Sequence, residues 1–369
     1  MFYVFSPTDL IPYILLYGVL LLIALSGYSE QSKAKAMFGV LFVFSAIRYG
    51  IGFDFFTYKE AVEDITPSGG ELERWELIPR AIGYLARVTD FQVFIVLLSF
   101  LTLYPLYWVV VRASLSPSLS LLVFSLHPLM FLEGLSSMRN AVAFSLILVS
   151  FFFLQKGEVR KSILIWLLAC FFHKAAMAAV LMYPLFYFRL SRLTNLVFFV
   201  TAFVVSALIP TIVRFLAAHI SIFEIVVFYI DNLASSSGGK LQYINDAIAL
   251  FNFVCWDRLV EVDKRNHTYL TMYNIGVCIW NVFLPLDSTL AMRLGMIFMF
   301  FLLFLVPSYQ LIFGKRYHML AKQLTVLFFV AFVAASFYIV TSAPAGDHLS
   351  YLPYQTIFYH TDYINYLYR

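Results

Sequence analysis

Apolar runs, about twelve of them, follow one another along the chain, each separated from the next by a short polar connection. A helix of roughly 20 apolar residues crosses a bilayer, and shorter ones serve where lipid or protein adapts. The runs fall at about 9–27, 36–48, 91–111, 118–133, 139–155, 162–174, 175–188, 195–213, 243–256, 268–285, 289–306 and 321–340, the second, sixth and ninth being short. Composition excludes the soluble alternative. Only 12% of residues are charged and the mean hydropathy is +0.84, whereas a soluble domain carries about 25% charged residues. The expectation is an all-α integral membrane protein, a polytopic bundle of about twelve transmembrane helices forming one domain over residues 1–369. The run Leu10 to Leu25 has no basic region before it and no small-residue cleavage site after it, and reads as a retained span. Cys170, Cys255 and Cys278 lie in apolar runs without metal-ligand spacing and read as packed thiols.

The charge on the connections orients the chain. If 28–35 is cytoplasmic, alternation puts 112–117, 155–161, 189–194, 257–267 and 307–322 on the same side. These six hold fourteen of the 25 Lys and Arg but only five of the 21 Asp and Glu, a net of +9 that leaves −5 for the rest. Basic residues mark the cytoplasmic face, so both termini are expected outside, together with the long segments 47–90, 214–242 and 343–369. Within these, residues around Trp75, Ile78, Ile82 and Leu85 form an amphipathic pattern suited to the interface, and 219–232 reads as helical. The short basic loops contain no nucleotide-binding glycine loop, which disfavours an ATP-driven transporter or a nucleotide-sugar enzyme.

Where the second span ends, the chain reads Arg48-Tyr49-Gly50-Ile51-Gly52-Phe53-Asp54-Phe55-Phe56-Thr57-Tyr58. Glycines at i and i+2 allow a sharp turn or a close backbone approach. Arginine offers a planar fork of donors for phosphate. Arg48, Arg139, Lys174 and Arg293 all fall near outward ends of spans, against the general bias of the basic residues. Converging, they would make an anion site, and the anion natural to that depth is a lipid-linked phosphate or diphosphate. His173, at a tight outer turn beside Lys174, is a candidate base, as is Asp54; Tyr58 lies one helical turn beyond Asp54. Glu76 and Glu133 are further carboxylate candidates, and His127 beside Pro128 marks a kink. No carboxylate or histidine pair has metal-ligand spacing, so arginines rather than a divalent ion are expected to stabilise transition-state charge.

These pieces, in this order, resemble the EpsG family, which includes Wzy-type O-antigen and exopolysaccharide polymerases. The similarity rests on Arg48-Tyr-Gly-Ile-Gly52-Phe-Asp54 with Tyr58, then Trp75-Glu76, Met138-Arg139-Asn140-Ala-Val-Ala143, the basic turn 156–161 and Phe172-His173-Lys174-Ala-Ala. Met292-Arg293-Leu-Gly295 and Tyr351-Leu-Pro-Tyr354 extend it. Phe55, Asn140 and Ala175 depart from the residues usual there (tyrosine, glutamine and serine). The resemblance implies a metal-independent, cofactor-free glycosyltransferase of GT-C type in the bacterial inner membrane, with its active site facing the periplasm. Its substrates would be undecaprenyl-pyrophosphate-linked oligosaccharides, with membrane lipid around it, a chain-length regulator as an optional partner, and no nucleic acid. Arg48, Arg139 and Arg293 would hold the diphosphate, with His173 or Asp54 activating the acceptor and Tyr58, Glu76 and Lys174 shaping the site. An O-antigen ligase and a lipid-linked oligosaccharide flippase are the rival readings.

Overall fold

The computed structural model describes residues 6–64, 70–219, 239–341 and 351–360. The helix expected over 219–232 lies almost wholly outside the described residues, as does most of the 343–369 tail. The described chain is all-α apart from one two-stranded ribbon. Where the sequence showed no boundary, contacts divide it into two compact units, Met1–Lys174 with Val326–Arg369, and Ala175–Thr325.

The first unit contains α1 (Ile11–Leu25), α2 (Glu30–Ala46), α3 (Phe55–Glu63), α4 (Leu77–Val88), α5 (Phe91–Ala113), α6 (Pro117–Leu126), α7 (Leu132–Ser136), α8 (Met138–Gln155) and α9 (Val159–Phe172). Ser29 caps α2 and Asp90 caps α5, their side chains accepting from the N–H of Ser32 and Gln92. Helix α8 is mostly apolar beyond its first turn and mostly enclosed, packing against α5 and α9. All ten residues of α6 are buried, and it ends at His127, whose extended backbone (φ −87°, ψ 109°) is what the following Pro128 demands. The span expected over 118–133 is therefore cut short, and 127–137 turns back as an irregular segment ending in the single turn of α7. Helix α4 packs through the small residues Pro79, Gly83 and Ala86 and leaves Leu77 and Leu85 exposed, so its apolar outer face survives as an interfacial candidate.

The second unit contains α10 (Met182–Phe188), α11 (Arg192–Ala217), α12 (Gly239–Val254), α13 (Trp256–Val262), α14 (Asn266–Phe283), α15 (Ser288–Met299) and α16 (Leu302–Tyr309); α17 (His318–Thr341) begins in it. Helix α14 is central, packed by α11, α12, α13, α15 and α16. At Gly276 on α14 and Gly295 on α15 the backbones approach so closely that a Cβ on Gly276 would meet the Gly295 carbonyl at 2.7 Å. The run 289–306 is not one straight helix. Tightened i→i+3 turns through Phe298–Phe304 bend α15 against α16 by 55°.

Five helices are long and apolar enough to cross a bilayer: Pro7–Leu25, Phe91–Ala113, Met138–Gln155, Arg192–Ala217 and Lys315–Tyr338, with the bent α15–α16 pair a sixth. Of the about twelve apolar runs, three of them expected to be short, five or six among the described residues form helices of full crossing length, and others form shorter or broken helices. Helix α11 leaves Leu193, Val197, Val200, Val204 and Leu208 exposed, a surface tolerable only in lipid. This is a membrane protein.

Connections that the loop charges assign to one side do meet. Glu30 of connection 28–35 accepts from the Ser116 hydroxyl of connection 112–117 at 3.0 Å and from Ser118 just beyond it at 2.7 Å, and Arg192 of 189–194 pairs with Asp257 of 257–267 at 2.9 Å.

Candidate functional site

Past the end of α2 the chain enters a two-residue strand, β1 (Arg48–Tyr49), paired antiparallel with β2 (Gln355–Thr356) of the C-terminal tail. Gly50 and Gly52 then take φ of 67° and 108°, a region that other residues rarely occupy. Gly52 also sits against the backbone of α7: a Cβ there would stand 2.7 Å from the Leu135 carbonyl oxygen. The turn and the close approach expected of the glycines are both present, and what is approached is the protein itself.

Arg48 is the residue whose place differs most from its expected role. It is 1% exposed, and its Nη1 donates to the Ser45 carbonyl and to Ser99 Oγ. Its Nη2 donates to the Leu135 carbonyl and Met138 Sδ. The adjoining cavity, lined by Arg48, Ser99, Thr102 and Gly134 among apolar side chains, is about 20 Å³, room for one water and far too small for a diphosphate. In this conformation Arg48 braces segment 133–139 from behind; the anion contact expected of it is not open.

Arg139, in the first turn of α8, faces the other way. Its Nη1 lies 2.8 Å from Glu76 Oε2, and its guanidinium covers the rings of Trp75 and Tyr58 at 4.9 and 5.5 Å. Both charged partners are partly exposed, at 19% and 17%. Glu76 is the N-terminal boundary residue of α4, where a carboxylate also suits the helix dipole. Its other oxygen accepts from the backbone N–H of Lys174 at 3.1 Å. One carboxylate therefore ties α4, α8 and the end of α9 together. His173, 7% exposed, is the extended residue that terminates α9, and the exposed Lys174 ammonium has no partner among the described residues. Tyr58, Glu76, Arg139, His173 and Lys174, scattered over more than a hundred positions of sequence, are thus brought to one end of the first unit.

Asp54, half-buried, precedes α3 as its N-terminal boundary residue without capping it through its side chain. Arg293 belongs to the second unit, on α15, where its Nε is buried without a partner among the described residues. Among the described residues no group of three His, Cys, Asp or Glu side chains comes together.

Two features escaped the sequence reading. Tyr351 of the tail is buried and reaches Glu133 Oε2 at 3.4 Å, while the Ser137 hydroxyl donates to Glu133 Oε1 at 2.7 Å. Burial pushes the Tyr351 phenol well up, and the charges of Glu133 and Asp54 push it further, so it stays a protonated donor. Their distance along the chain hid the pair. In the second unit Asp246 of α12 is 8% exposed and accepts from Gln242 and Asn281 at 3.0 and 2.9 Å. A carboxylate within an apolar run was the available signal for it.

No curated protein and no solved structure gives a significant match to the chain. A family model does. That of the EpsG family, a Wzy-type polymerase-like family, matches residues 35–356, which take in every site residue named above. The chain belongs to the EpsG family.

Proposed function

We propose that this protein is a polysaccharide polymerase of the bacterial inner membrane, with its active site on the periplasmic side. It would transfer a growing glycan from undecaprenyl pyrophosphate to a hydroxyl of a new lipid-linked repeat unit. The supporting observation is the cluster around Arg139. A half-buried guanidinium is held between two aromatic rings and a carboxylate, with a lysine whose ammonium has no partner among the described residues and a histidine next to it. Such a cation is pre-oriented and only partly hydrated, so it stabilises charge developing on a departing diphosphate more than a mobile surface arginine would. Lys174 adds a second positive charge, and a diphosphate would take over the Arg139 fork that Glu76 now occupies. His173 and Asp54 are the groups first expected to orient or deprotonate the acceptor. A metal-independent GT-C-type mechanism is part of the same reading. The loop charges supply the periplasmic assignment.

The test is complementation of a deletion strain. Lipid carrying a single repeat in the deletion strain supports polymerase; polymer left on undecaprenol indicates ligase, and repeats stranded inside indicate flippase. Arg139→Ala is expected to reduce long glycan on the order of 10²-fold at unchanged membrane abundance, with Arg139→Lys intermediate. Full-length polymer from Arg139→Ala removes that residue from the mechanism.

A further inference from the structure

We propose that Glu133 is the general base for the acceptor hydroxyl and that Tyr351, from the C-terminal tail, is its positioning residue. The inference rests on the polymerase reading above and gives Glu133, in the sequence only a further carboxylate candidate, the role first expected of His173 or Asp54.

Of the carboxylates at this end of the first unit, Glu76, Asp54 and Glu133 are held in different ways. Glu76 is matched with Arg139, so its charge is already committed. Asp54 stands at the start of α3. Glu133 is gripped on both oxygens by hydroxyls, Ser137 on one and Tyr351 on the other. A hydroxyl donor fixes a carboxylate's direction and leaves its charge in place, which is what a base requires. The grip is itself anchored. Tyr13 of α1 donates to the Tyr351 carbonyl at 2.6 Å, Phe53 meets the Tyr351 ring edge-on at 5.5 Å, and the β1–β2 pair holds the tail just beyond.

Glu133 and Arg139 are carried by one bent segment, 133–139, six positions apart. Arg48 holds that segment at Leu135 and Met138, and Gly52 abuts it at Leu135 and Ser136. The buried arginine and the glycine turn thus fix a segment bearing a base at one end and a diphosphate-binding cation at the other. In the step, the acceptor O–H gives its proton to Glu133 as its oxygen bonds to the anomeric carbon. The bond from that carbon to the diphosphate oxygen breaks, and its electron pair leaves with the lipid diphosphate. Glu133 then releases the proton to water.

Beside Glu133 stands the Tyr351 phenol, which also has Tyr13 and Asp54 as neighbours, and Tyr13 in turn has Tyr17, Tyr354 and Arg48. The test uses the full-length protein in membranes, with lipid-linked repeat unit isolated from the deletion strain as substrate. Glu133→Gln is expected to lower kcat by on the order of 10²–10⁴-fold with little change in KM. Tyr351→Phe keeps the ring and its carbonyl anchor and removes only the hydroxyl. Because that hydroxyl favours the charged carboxylate, its loss moves the acidic limb of the pH–rate profile to higher pH. Should Glu133→Gln fail to accumulate, the Tyr351→Phe limb decides alone. Wild-type kcat in Glu133→Gln, or an unmoved limb in Tyr351→Phe, overturns the assignment while leaving the polymerase reading standing. A wild-type protein that extends no glycan overturns both.

Discussion

In the first unit the enclosed polar side chains that matter are ionic and gathered at one end: Arg48 against carbonyls, Arg139 against Glu76, and Glu133 held by hydroxyls. In the second they are mostly amides strung along the helices. Gln242 donates to Asp246 and Asn281 at 3.0 Å, Asn274 to the Asn195 carbonyl at 2.9 Å, Asn266 to Ser308 at 2.8 Å, and Tyr309 to Asn252 at 2.7 Å. Neutral amides between helices act as glue of modest strength, about 0.6 kcal/mol each in membrane proteins. Charges are costly to enclose and are retained where they do chemistry or brace it. Glycine follows the same division. Gly52 lets a loop touch the segment behind the candidate site, whereas Gly276 and Gly295 let two helices of the second unit pack backbone to backbone. On this comparison the first unit carries the ionic machinery, and the second is chiefly a lipid-embedded, amide-laced helix assembly.

The largest effect that would sharpen the contrast is expected from Arg48→Leu. It strands the carbonyls of Ser45 and Leu135 and unpins segment 133–139, costing about 3 kcal/mol or more. Detergent-solubilised thermal unfolding and membrane abundance should both fall; normal values would show that Arg48 is not a brace. Next comes Gly276→Val, whose Cβ would lie 2.7 Å from the Gly295 oxygen and 2.8 Å from Met299 Cγ. A cost of about 1–3 kcal/mol from overpacking is expected, read as a lower melting midpoint. Smallest is Gln242→Leu, expected within about 1 kcal/mol of wild type and with glycan length unchanged. Loss of polymer from Gln242→Leu at normal abundance would break the comparison, since the amides around Asp246 would then serve the reaction.

The membrane environment and the family were legible in the residues themselves. Each depends on additive quantities: transfer cost along an apolar run and the order of short motifs. Arg139, Glu76, His173, Lys174 and Tyr58 were legible for a related reason, because a polar group at the mouth of an apolar span needs a purpose. Direction and partnership were not legible. Arg48 and Arg139 look alike in sequence, yet one turns into the core and the other toward Glu76. Tyr351 meets Glu133 across 218 positions. The run that begins at Pro117 stops at His127 before Pro128, and the run through Phe300 bends by 55°; neither break was read from the apolar pattern, because enclosed backbone there finds partners in protein rather than lipid. One-dimensional sums place a chain in its solvent. Only packing in three dimensions decides which way a side chain points and whom it meets, because that choice depends on neighbours supplied from distant parts of the chain.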